Sequence, residues 1–153
     1  MTKRIGFLVV ALTAVVATAV ASAQGAAQAT AMTKSKVLAS VQGIWVMTTA
    51  NGQDVAGSGQ DVRVTITDDK YVQTVNNEVV EKGSFKIDET KKPFALDILV
   101  VEGQDAGQKQ LAIFEVDATG KTMKVAIAEP GAPVRPSAFT EATGVETLVF
   151  VKK

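Results

Sequence analysis

From Asp61 onward the sequence is organised in twos. "DVRVTIT" sets Val62, Val64 and Ile66 on one face and Arg63, Thr65 and Thr67 on the other. That is the alternation of a strand with one buried face. Asp68-Asp69 then leads into "KYVQTVN", and Asn76-Asn77 into "EVVEKGSFKID". Asparagine and aspartate tolerate the left-handed backbone that tight hairpins require. "QGIWVMTTA" precedes these runs, and "FALDILVVE", "QLAIFEVD", "KTMKVAIAE" and "VETLVFVKK" follow them. Between them lie the polar loops "NGQDVAGSGQ" and "GQDAGQK" and the turns "ETKKP" and "ATG". Pro93 in "ETKKP" fits neither a helix nor a central strand.

Eight strand candidates with short connections and no intervening helix predict an all-β, antiparallel domain. A closed up-and-down eight-stranded barrel is preferred to a sandwich, because successive hairpins give it directly and closure removes exposed edges. "KSKVLASV" spaces Val37, Leu38 and Val41 as a short helix ahead of the first strand. "PGAPVRPSAFTEATG" is irregular and holds three of the four prolines.

The N-terminus reads differently. Lys3 and Arg4 precede an apolar run, Ile5 to Ala21, and Ala21-Ser22-Ala23 presents small residues at a signal-peptidase spacing. Residues 1–23 are therefore expected to be a cleaved signal peptide. A retained anchor is the alternative, but the run is alanine-rich and short for a span. The small, polar residues 24–35 are expected to form a disordered leader, and residues 36–153 the barrel domain. The mature chain is expected to have no membrane span and to be periplasmic or secreted.

Several chemistries are excluded by composition. The chain has no cysteine and no histidine, so disulfides, thiol chemistry and Cys/His zinc sites are absent, as is a Ser-His-Asp triad. Basic and acidic residues number 16 each, without the basic stripe of a nucleic-acid binder. "TGKT" at Thr119–Thr122 lacks the upstream glycine of a phosphate loop, because Glu115 stands there, and a strand-like run follows it. "AGSGQ" around Ser58 fails the G-x-S-x-G pattern. Asp68-Asp69 and the pair Glu115 and Asp117 read as turn and strand-end acids rather than a catalytic pair. No catalytic residue, metal site or cofactor is expected.

Gly43-x-Trp45 opens the first strand just after the short helical segment. It resembles the lipocalin signature, in which the indole plugs one barrel end beneath an Arg or Lys side chain. More widely, the chain resembles an uncharacterised family of exported lipocalin-like domains found largely in planctomycete bacteria. The resemblance covers about residues 37–153 and rests on "LASVQGIWVM", "GSFKIDETKKPFALDI", "LAIFEVDATGKTMKVAIAEPG", "RPSAF" and "ETLVFVKK". Gly43, Trp45, Lys91, Lys92, Pro93, Asp97, Arg135, Pro136 and Phe139 match the family pattern. Ile44 departs from it, and Val125-Ala126-Ile127 stands where relatives carry a cysteine. The resemblance implies a barrel, an exported location and structural roles for Gly43, Trp45, Pro93, Arg135 and Phe139. It implies no activity.

The leading expectation is a non-enzymatic exported domain that binds a small apolar ligand or an envelope partner. The alternative is a structural or protein-interaction module with a filled core. Interior volume separates the two, since an eight-stranded barrel either fills itself or holds one small ligand. Phe85, Leu96, Ile98, Ile113 and Met123 are the candidate interior residues, with Phe94, Phe114 and Phe150 as further filling. Trp45 is expected to be a structural peg at the closed end, with ligand entry at the opposite, looser end.

Overall fold

The structure, a computed structural model, describes residues 35–153. The expected signal peptide over 1–23 and all but the last residue of the expected leader lie outside them. That last residue, Ser35, caps a short helix, α1 (Lys36–Val41), by accepting the Leu38 N–H at 2.9 Å.

The strands are β1 (Gly43–Ala50), β2 (Gln53–Asp54), β3 (Val62–Thr67), β4 (Lys70–Val75), β5 (Glu78–Asp88), β6 (Phe94–Glu102), β7 (Lys109–Val116), β8 (Thr122–Ala128) and β9 (Val145–Lys152). From β3 to β9 each pairs antiparallel with the next; β1 pairs with both β3 and β9 and closes the sheet. The expected all-β, up-and-down, eight-stranded lipocalin-like barrel with one short helix is thus the observed fold. Two-residue β2 is an addition. It folds back on the end of β1 through Asn51-Gly52, inside what reads from sequence as a plain polar loop.

Local chemistry accounts for the hairpins. Asp68, Asn76 and Asn77 take φ values of 55°, 51° and 69°, the region these side chains tolerate best among non-glycine residues. Asp117 Oδ1 accepts the backbone N–H groups of Lys121 and Thr122 at 2.9 and 3.1 Å. "TGKT" therefore spends its amides on its own hairpin. The Lys92–Pro93 peptide, in the β5–β6 turn, is cis.

Alternation along the strands divides the side chains. Met47, Val62, Ile66, Tyr71, Phe85, Phe114, Met123, Val125 and Phe150 are buried and pack together inside with Val41 and Trp45. Phe94 and Phe114 add a tilted ring pair at 5.4 Å, within the range where aromatic edges and faces attract. Each such side chain contributes about 1.5–3 kcal/mol when fully buried.

The outer wall is also covered in one place. The segment 129–144 leaves β8 and lies against the outside of β6 and β7 as a strap. Arg135 Nη1 donates to the carbonyls of Leu96 and Ala112, each at 2.7 Å, and Nη2 pairs with Asp97. Gly131 N–H donates to Lys109 O at 2.8 Å, and Pro136 is buried. Ile113 must be reassigned on this ground. It lies between the inward Ala112 and Phe114, so it points outward, paired with Ala95 and Ala126. All three are buried on the outer face. The strap, not the barrel interior, explains the burial of Ile113.

Candidate functional site: a chamber inside the barrel

Strand direction defines two ends. β1 runs away from α1, and β4, β6 and β8 run the same way. The starts of these strands therefore gather around α1, and their ends form the opposite rim.

The α1 end is shut. Trp45 is fully buried, and its Nε1 donates to Val41 O at 2.7 Å. The last turn of α1 is thereby tied to the first strand. Lys152 stands opposite Trp45 in the β1–β9 ladder. Its Nζ lies 5.2 Å from the indole ring and donates to Ser40 O at 3.0 Å. Gly43 makes this possible. It takes φ +109°, open to glycine and strained for other residues, and the Lys152 stem passes 3.4 Å from where a Cβ would be. Gln42 finishes the closure by accepting the Asp68 N–H and donating to Asp68 O.

Beyond this plug the barrel is not filled. A chamber of about 430 Å³ extends through it, walled mainly by aliphatic and aromatic side chains. Of the residues expected inside, Phe85, Leu96, Ile98 and Met123 line it, and Ile113 does not. Phe114 and Phe150 also line it without filling it. Trp45 is not among the lining residues. Pro93 is half-buried in the β5–β6 turn, and neighbouring Lys92 holds its Nζ 3.4 Å from the Phe94 ring centroid. Phe139 is half-buried on the strap, and Arg135 anchors the strap from outside.

The polar part of the wall could not be read from the sequence. Tyr71 is buried, and its hydroxyl donates to Glu81 Oε1 at 2.7 Å. Burial, then the Glu81 hydrogen bond and charge, push the phenol well above its ordinary value, so it stays a donor. Gly83 permits this contact. A Cβ there would stand 2.5 Å from the Tyr71 ring and 2.3 Å from Leu99 O. Gln73 and Gln110 face the same space. At the rim stand Asp105 from the β6–β7 connection, Glu129 just after β8, and Glu146 at the start of β9. No group of three or more His, Cys, Asp or Glu residues among the described residues is arranged to hold a metal ion.

Such a chamber can take up an apolar body through area burial and orient it with a few polar groups. Among the described residues no helix is long and apolar enough to cross a membrane. No protein-family model matches the chain, nor does any curated protein or solved structure.

Proposed function

We propose that the protein is a non-enzymatic, exported binding domain whose barrel carries one small, largely apolar ligand. The observation that supports this reading is the unfilled chamber of about 430 Å³ behind a shut end. Ligand sites of this kind are concave, mostly apolar and few per protein. The filled-core module is disfavoured by that same volume. Export follows from the signal-like N-terminus, and membership of the planctomycete lipocalin-like family from the sequence resemblance; both belong to this proposal. Native mass spectrometry of protein purified gently from its source tests it. A small mass that stays bound and leaves on unfolding supports the ligand reading. A bare chain under every mild condition counts against it.

A further inference from the structure

The charge of the chamber wall is one-sided. Among the residues that line it are four carboxylates, those of Glu81, Asp105, Glu129 and Glu146, and no lysine or arginine. This imbalance is not a property of the whole chain, which has equal numbers of basic and acidic residues. Among the described residues none of the four is held in a salt bridge. The salt bridges there join Arg63 to Asp61, Lys82 to Glu102, Lys109 and Arg135 to Asp97, and Lys124 to Glu115.

Their exposure is graded. Glu129 and Glu146 are exposed, Asp105 is half-buried, and Glu81 is half-buried on the wall with Tyr71 fixing one of its oxygens. Gly103 packs against Glu81, which places that residue beside the β6–β7 connection that carries Asp105. All four therefore stand toward the open side, and the apolar wall continues behind them to the Trp45 plug. A low-dielectric wall rimmed by one sign of charge concentrates ions of the opposite sign.

From this geometry we infer that the ligand is an amphipathic cation, with an apolar body inside the barrel and an ammonium or guanidinium head among these carboxylates. The inference rests on the ligand-binding reading above and specifies its chemical class. An anionic amphiphile would bring its head against four like charges. A neutral one would bind through its body alone.

Three probes with the same chain separate these cases: octylammonium, 1-octanol and octanoate, each titrated calorimetrically into the protein at low salt. Octylammonium should bind about tenfold more tightly than 1-octanol, the sum of several partly solvated charge contacts, and octanoate should bind most weakly. The gap between ammonium and alcohol should narrow in about half-molar salt, where exposed charges are screened. It should nearly close in the Asp105→Asn/Glu129→Gln/Glu146→Gln variant, which leaves Tyr71 and Glu81 intact. Equal binding of octylammonium and 1-octanol to the wild type, or tighter binding of octanoate, would overturn the cationic assignment and leave the chamber as an apolar site. Failure of all three to bind would overturn the ligand reading with it.

Discussion

Lys152 and Trp45 face each other across the β1–β9 ladder, with the ammonium 5.2 Å from the indole ring and bonded to Ser40 O. One side chain thus joins the last strand, the first strand and α1. The contact shuts the barrel at the end where the chain enters it. It also sets the plug apart from the chamber, because Trp45 is absent from the chamber wall while Phe85, Phe114 and Phe150 belong to it.

Trp45→Ala should lower unfolding free energy by about 3–5 kcal/mol, since a fully buried ring is lost and a cavity remains. Trp45→Phe should cost less because most of the apolar bulk survives, and it should retain ligand binding. Denaturant titration followed by circular dichroism measures the first effect. Ligand titration at matched folded fraction measures the second. A tenfold loss of binding in Trp45→Phe with an unmoved thermal midpoint would make the indole a ligand contact.

Lys152→Met keeps much of the stem and removes the charge. It should destabilise by about 1 kcal/mol, the combined scale of one cation–π contact and one hydrogen bond. An unchanged denaturant midpoint would mean that the ammonium contributes nothing at the plug.

Arg135 holds the strap to the wall, and its removal should be felt in two ways. Arg135→Ala abandons two backbone carbonyls and the Asp97 carboxylate, with an expected cost of about 2 kcal/mol at neutral pH. The second effect depends on pH. The Arg135 hydrogen bond, aided by Lys109 and opposed by burial, holds the Asp97 carboxyl below its ordinary range. A carboxylate with a lowered folded-state pKa stabilises the fold above its unfolded value, near pH 4, and loses that contribution as pH falls through the folded value. Asp61, Asp88 and Asp117 are lowered as well, so the informative quantity is the difference between variants. Unfolding free energy measured from neutral pH down to about pH 2 should fall less steeply in Arg135→Ala than in the wild type. Parallel curves would show that the pair is not coupled to folding.

Gly83→Ala should be among the most damaging single-methyl additions. The new Cβ would meet Leu99 O, which is backbone and cannot yield easily, and would also press on the Tyr71 ring. A cost of about 2–3 kcal/mol is expected from overpacking. Tyr71→Phe in the Gly83→Ala background should not restore stability, because the backbone clash persists. Recovery to wild-type stability would place the strain on the hydroxyl alone.

These residues show what the sequence reveals and what it hides. The eight long strands and their Asp and Asn turns are legible because one buried face imposes a period of two. Phe85, Leu96, Ile98 and Met123 follow from that rhythm. Ile113 does not. "LAIFEV" is nearly all apolar because the strap buries the outer face of β7, so inner and outer positions look alike in the one-dimensional pattern. The Tyr71–Glu81 contact depends on the missing side chain of Gly83, which reads in sequence only as a glycine within a strand. Asp105 and Glu129 look like solvated loop acids, and Glu146 like a strand-end acid, until barrel closure brings the β6–β7 connection and both ends of the β8–β9 connection to one rim.

The most direct test of the chamber is to fill it. Ile98 lines the space on β6 and belongs to neither the plug nor the strap, and Ile98→Trp adds a large apolar side chain there. The neutral fluorophore N-phenyl-1-naphthylamine, titrated into wild type and variant, reports an apolar interior through its rise in emission. The expected result is saturable one-to-one binding to the wild type and at least about tenfold weaker binding to Ile98→Trp, a loss of 1.4 kcal/mol or more, with the β circular dichroism unchanged. Equal binding to both folded proteins would place the fluorophore outside the barrel and contradict the chamber as the binding site.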